Sequence, residues 1–172
     1  NCEYAIQQMP WMDGDGETHG KPSYIANNII TDTGSNGTTG NGAYRMNVIQ
    51  LSGCWGGSVY GNTINGWQKV NEGGDGYGIM VDWPDEFDDS TYSKEVKIYG
   101  NFITGGGTNP THVYPAAMRM AGIYLYRAKD CEVFSNVVAD SRSGYAIAGN
   151  ATIPANSQGN TFYNNVAQGM DT

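Results

Sequence analysis

Positive charge is sparse in this chain. Lys and Arg number 9 of 172 residues against 17 Asp and Glu, for a net charge of −8. There is no basic stripe, so nucleic-acid binding is excluded as a reading, and an anionic membrane surface would repel the chain. No apolar run approaches the ~20 residues a membrane span needs. Charged residues of both signs reach only 15%, below the usual share of about 25%. Cysteine is limited to Cys2, Cys54 and Cys131. An odd number leaves at least one thiol unpaired within the chain. No CxxC or Cys/His spacing suggests zinc, so the cysteines read as small buried hydrophobes. No signal-peptide pattern is visible and the sequence opens on Asn1, which reads as a processed chain or a piece of a longer one. His19 and His112 stand without a partnering motif. There is no Gly-x-Ser-x-Gly elbow and no Walker loop. Gly105-Gly106-Gly107 reads as a turn.

What is abundant is glycine, 25 residues, together with asparagine. Both tolerate positive φ, which suits many tight turns, and both are weak helix formers. The strongest signal is internal repetition. Residues 45–64 match 119–138 without a gap at an offset of 74, pairing Met46-Asn47-Val48-Ile49-Gln50-Leu51 with Met120-Ala121-Gly122-Ile123-Tyr124-Leu125. An asparagine closes each unit. Asn28, Asn62, Asn101, Asn136 and Asn165 recur at intervals of 34, 39, 35 and 29, inside related hexapeptides such as Val59-Tyr60-Gly61-Asn62-Thr63-Ile64 and Ile98-Tyr99-Gly100-Asn101-Phe102-Ile103. A second motif recurs as Gly78-Ile79-Met80-Val81, Gly122-Ile123-Tyr124-Leu125 and Gly144-Tyr145-Ala146-Ile147, with a shortest step of 22 residues. That is too short for a βαβ crossover, which needs about 30 residues, and long enough for three short strands and three turns. Stacking the units would pile Ile49, Ile79, Ile123 and Tyr145 into one inward column. The asparagines would form another, each amide paired as a buried polar group must be.

The pattern resembles the right-handed parallel β-helix repeat of pectate-lyase-like proteins, a superfamily of polysaccharide lyases, glycoside hydrolases, sugar epimerases and phage tailspikes. The resemblance covers roughly residues 24–167. It implies an all-β, right-handed parallel β-helix (a solenoid) of about five coils, with an internal Asn ladder and long turn insertions. The chain reads as a single domain over 1–172, with 1–23 an irregular first coil and 24–167 the repeats. Tyr4-Ala5-Ile6 reads as one more first strand and Met9–Lys21 as an inserted loop. A β-propeller or sandwich is the weaker alternative.

Insertions fall at Thr31–Ala43, Asn65–Gly76, Trp83–Ser93 and Thr104–Met118, all bordering the first-strand column. Function commonly sits on such loops over a rigid scaffold, and polysaccharide-active relatives carry their sites in this groove. Alternation assigns its outward positions to Gln50 and Ser52, Met80 and Asp82, Tyr124 and Tyr126, and Ala146 and Ala148. Asp82, Tyr126 and Arg127 are the candidate catalytic residues. Trp83, Tyr124, Lys129 and Trp55 are the candidate substrate-binding residues, the tryptophans as stacking platforms for sugar rings. Two chemistries fit. In β-elimination from a uronic acid, a base removes the proton α to the carboxylate and a cation stabilises the enolate. Glycoside hydrolysis would pair Asp82 with Asp85, Glu86 or Asp130. Asp85, Asp88 and Asp89 supply hard oxygen ligands suited to calcium, the one cofactor the sequence raises, although acidic loops are commonly only solvated. Arg45, Asp75 and Arg119 read as a register-fixing charge file.

The expected function is binding or cleavage of a polysaccharide or surface glycan by a secreted or cell-surface protein, as a lyase or hydrolase if an enzyme. The alternative is a structural, adhesive or filament-forming module. Open strand edges at the ends of a β-helix need cover, so end-to-end self-association or continuation into further domains is expected.

Overall fold

Short β-branched and aromatic stretches, broken every few residues by Gly or Asn, fold as the period-two pattern dictates. A computed structural model of the chain describes residues 5–8, 11–12, 18–19, 22–31, 46–66, 76–82, 92–106, 120–141, 143–148 and 157–169. Among these, three five-stranded sheets dominate. The first comprises Ile6–Gln8, Met46–Ser52, Gly76–Asp82, Met120–Tyr126 and Tyr145–Ala148. The second comprises Ser23–Ala26, Gly57–Tyr60, Lys97–Tyr99, Glu132–Phe134 and Thr161–Tyr163. The third comprises Ile29–Thr31, Thr63–Asn65, Phe102–Gly106, Val137–Ser141 and Val166–Gln168. All their pairings are parallel, and the chain visits first, second and third sheet in the same order five times. The architecture is therefore stacked parallel sheets, compatible with a β-helix. A short ladder of Ser93–Lys94 with Ala128–Lys129, extended by a bridge from Trp55 to Lys94, lies between first and second sheets. Trp11–Met12 and Thr18–His19 form a separate antiparallel pair.

Register follows the repeat. Ile6, Ile49, Ile79, Ile123 and Tyr145 are successive neighbours across the first sheet. Ile25, Val59, Ile98, Val133 and Phe162 do the same in the second, and Ile30, Ile64, Ile103, Val138 and Ala167 in the third. The middle members of these files are fully buried and form one continuous core. Strict alternation breaks in the first sheet. Val48 and its neighbour Ile49 are both packed in the core, and the equivalent places in the next two coils are glycines. A Cβ on Gly122 would sit 2.3 Å from Val138 Cγ1, and one on Gly78 2.8 Å from Ile103 Cγ2.

The corner between second and third sheets is the same two-residue bend in every coil. Its first residue is left-handed each time: Asn27, Gly61, Gly100, Ser135 and Asn164, with φ of 58°, 64°, 62°, 54° and 54°. Its second residue is asparagine, and these side chains are joined in series. Asn28, Asn62, Asn101 and Asn136 each donate from Nδ2 to the Oδ1 of the next, at 2.9, 2.9, 2.9 and 3.0 Å, ending on Asn165. The backbone N–H of each donates to that same Oδ1 at 3.0 Å. From Asn62 onward, Nδ2 also reaches back to a carbonyl of the preceding coil: Ile25, Val59, Ile98 and Val133. A polar side chain can thus hold a buried position because its donors and acceptor are all engaged. Outside this bend, Tyr60, Tyr99, Phe134 and Tyr163 stack face to face, centroids 5.0, 4.9 and 5.0 Å apart.

Candidate functional site

The outward side of the first sheet and the short corner ladder beside it carry the candidate residues. Asp82 ends its strand beside Ser52, its register partner. Gln50 Nε2 donates to Asp82 Oδ2 at 2.9 Å, and Ser52 Oγ donates to Asp82 Oδ1. Gln50 Nε2 also reaches Ser52 Oγ at 3.1 Å, and Asn47 Nδ2 donates to Gln50 Oε1 at 2.9 Å. Asn47, Gln50, Ser52 and Asp82 are all buried, so this is an enclosed network, an arrangement that suits an acceptor-only carboxylate. Next to it the strands place Tyr77 against Tyr124, stacked at 4.2 Å, and Tyr124 near-parallel to Tyr126 at 6.3 Å. With Met80 and Ala121 these form an apolar cluster separate from the main core.

The sequence reading treats this face as an open groove. Its centre is not open: Asp82, Tyr124 and Arg127 are only 4%, 3% and 4% exposed. Burial on an outward face is set by what lies over it, which strand alternation does not encode. Arg127 follows the strand in a left-handed conformation, φ 50°, with its guanidinium carbon 5.5 Å from the Tyr126 ring centre. Tyr126 and Lys129 are half-buried.

The accessible part lies along the corner. Trp55, Lys94 and Lys129 occupy equivalent places in three successive coils. Trp55 is 37% exposed, donates Nε1–H to the Tyr92 carbonyl at 3.1 Å, and carries Lys94 Nζ 4.6 Å from its ring centre. Lys129 Nζ lies 5.3 Å from the Tyr92 ring centre. Lys94 and Lys129 are direct cross-strand partners, a like-charge placement that is unfavourable unless something anionic offsets it. Neither forms an ion pair with another described residue. Glu95 and Asp130 follow them in sequence at exposed, left-handed positions and moderate the local charge. Tyr92 and Lys94 are absent from the sequence-based site. The asparagine intervals would have found Lys94, since 39 residues separate Trp55 from Lys94 as they do Asn62 from Asn101, and 35 separate Lys94 from Lys129 as they do Asn101 from Asn136.

Trp83, Asp85, Asp88 and Asp89, with Glu86, lie outside the described residues, as do Arg45, Asp75 and Arg119 of the expected charge file. The calcium reading therefore has no described ligand set. Among the described residues no cluster of three or more His, Cys, Asp or Glu could hold a metal ion. No described helix is long and apolar enough to cross a membrane. Cys54 and Cys131 are buried free thiols. Burial pushes the Cys131 thiol up to about 12, with backbone hydrogen bonding to Val96 opposing and the Asp130 charge adding. Burial likewise raises Cys54, opposed by its contact with Ser23 and reinforced by the Asp82 charge. Thiols so held are poor nucleophiles.

Comparison with known proteins returns no matching family model, no matching curated protein and no matching solved structure.

Proposed function

We propose that the chain is a right-handed parallel β-helix of the pectate-lyase-like kind, with the serial asparagines as its internal ladder, and that it binds an extracellular acidic polysaccharide along the Trp55–Lys94–Lys129 corner. The observation that carries this reading is the pairing of two lysines on adjacent strands, each against an aromatic ring. A uronic-acid polymer meets both needs at once. Its carboxylates pair with the two ammonium groups, and the apolar faces of its rings stack on Trp55, Tyr92 and Tyr126. A chain of net charge −8 would otherwise repel such a polymer, so local cations must do the attracting. The protein is secreted or displayed at the cell surface, where such polymers occur.

Cleavage is the second reading. In β-elimination Asp82 would take the proton α to the uronate carboxylate, Arg127 would stabilise the enolate, and the bond to the leaving oxygen would break as the double bond forms. The burial of Asp82 and Arg127 favours binding without cleavage. Isothermal titration against an acidic polysaccharide and its neutral counterpart tests the binding reading. Lys94→Ala with Lys129→Ala is expected to weaken acidic binding about tenfold or more and to flatten its salt dependence. Equal affinity for both polymers, or for wild type and double variant, refutes it. Growth of ultraviolet absorbance from a new double bond, lost in Asp82→Asn, would move the reading to a lyase.

A further inference from the structure

Beside the lysine corner runs a second row of the same pitch. Gly56, Glu95, Asp130 and Gly159 each follow one member of the row Trp55, Lys94, Lys129 and Gln158. The backbone N–H groups of Gly56, Glu95 and Asp130 donate to the carbonyls of Lys94, Lys129 and Gln158 at 2.8, 3.0 and 3.0 Å, which sets the two rows in register. All four followers are left-handed, with φ of 79°, 57°, 52° and 71°. Glycine takes that conformation without steric cost, and Gly56 and Gly159 are glycines. In the two coils that carry lysine the place is acidic instead. A left-handed glutamate is uncommon, so backbone conformation does not account for it. Nor does ion pairing, since neither Glu95 nor Asp130 forms an ion pair with another described residue. Both are exposed. The Asp130 carboxylate lies over Gly159, where an added Cβ would fall 1.9 Å from Oδ1, so it is held close to the corner.

The corner therefore presents a row of two cations next to a row of two anions, one of each per coil, with an aromatic ring against each lysine. A hexuronate ring carries groups that match all three. Its carboxylate hangs from C5, its hydroxyls on C2 and C3 lie at the opposite edge, and its ring face is apolar. With that face on an aromatic ring, the carboxylate pairs with an ammonium group. The far edge then gives its hydroxyl protons to Glu95 or Asp130, which as ionised carboxylates only accept. Neighbouring coils repeat at ~4.8 Å, so the same set of contacts is offered twice. A sulfate on O2 or O3 has no proton to give and meets like charge at this place.

We propose that Glu95 and Asp130 are specificity-determining residues, accepting the free 2,3-diol of a bound uronate and rejecting polymers sulfated there. This inference rests on the acidic-polysaccharide reading and selects among such polymers. Isothermal titration of a polyuronate, and of the same polymer sulfated at O2 and O3, against wild type and the double variant Glu95→Gln with Asp130→Asn tests it. Both substitutions keep size at exposed positions, and asparagine tolerates the left-handed conformation, so a native far-ultraviolet spectrum is expected. Wild type is expected to bind the unsulfated polymer at least about tenfold tighter than the sulfated one. The double variant is expected to bind the unsulfated polymer about fivefold more weakly and the sulfated one about tenfold more tightly. These opposite signs separate a diol contact from general relief of negative charge, which would tighten both. Tightening of both, an unchanged preference, or a wild type that prefers the sulfated polymer overturns the filter and leaves acidic-polysaccharide binding standing. Wild-type binding of neither polymer overturns that reading, and the filter with it.

Discussion

Replacing Asn101 by Ala tests whether the asparagine file holds the coils together. Asn101 is 2% exposed. Its Oδ1 accepts from the Asn62 backbone N–H at 3.0 Å and from Asn62 Nδ2 at 2.9 Å. Its Nδ2 donates to Val59 O and Asn136 Oδ1, both at 2.9 Å. Alanine removes all of these and strands the Asn62 N–H in the interior. A stranded buried group costs about 1–3 kcal/mol, and each lost bond about 0.5–1.5 kcal/mol net, so a total of about 4 kcal/mol is expected. Asn28→Ala is the internal control. That residue is half-buried, only donates, and the Asn62 Oδ1 it serves keeps the Asn28 backbone donor, so roughly 1 kcal/mol is expected on the same scale. For a chain of this size 1 kcal/mol shifts Tm by about 2–4 °C. Asn101→Ala should therefore melt roughly 8–16 °C below wild type, and Asn28→Ala only about 2–4 °C below. Calorimetry and urea titration of the two variants provide the measurement. If they fall within about 1 kcal/mol of each other, the file is decoration and the coils are held by the aliphatic core alone.

Two further outcomes follow from the packing. Gly122→Ala drives a Cβ into Val138, where the space is 2.3 Å, and should cost about 1–3 kcal/mol by urea titration; Gly122→Ala combined with Val138→Ala should recover part of that loss, and no recovery would place the strain elsewhere. Cys131, held at about 12 against 9.0 when unburied, should resist thiol reagents in the native state. Its raised value means full stability below about pH 9 and a loss as pH rises from there towards 12, so stability measured across that window should fall less steeply in Cys131→Ala, and an equal slope would refute the assignment.

Much of the architecture could be read beforehand because the inward positions repeat in kind as well as spacing. The asparagine intervals placed five bends, and Ile49, Ile79, Ile123 and Tyr145 marked one file whatever the loops between them. The functional face was harder. Asp82 and Tyr124 sit at outward positions, and alternation alone assigns such residues to solvent. Both are buried, and alternation does not encode what packs on an outward face. Val48 beside Ile49 broke the period, while the equivalent places in the next two coils are Gly78 and Gly122, where a side chain would not fit. At the corner, Trp55 and Lys129 are among the expected substrate-binding residues and Lys94 between them is not. The corner strands are two residues long, too short for any pattern of their own, and the spacing of the neighbouring asparagines is what identifies them.

The bend between second and third sheets constrains how this molecule can change. Insertions of very different size separate the third strand of one coil from the first strand of the next, yet the bend is two residues long in all five coils. One added residue there would turn that coil's asparagine out of its file and shift the side chains of its own third-sheet strand to the opposite face. The polypeptide can thus acquire new segments where the third sheet leads back to the first, while the bend between second and third sheets keeps one length. New surface can accumulate at the tolerant connection without disturbing the register that the stacked sheets share.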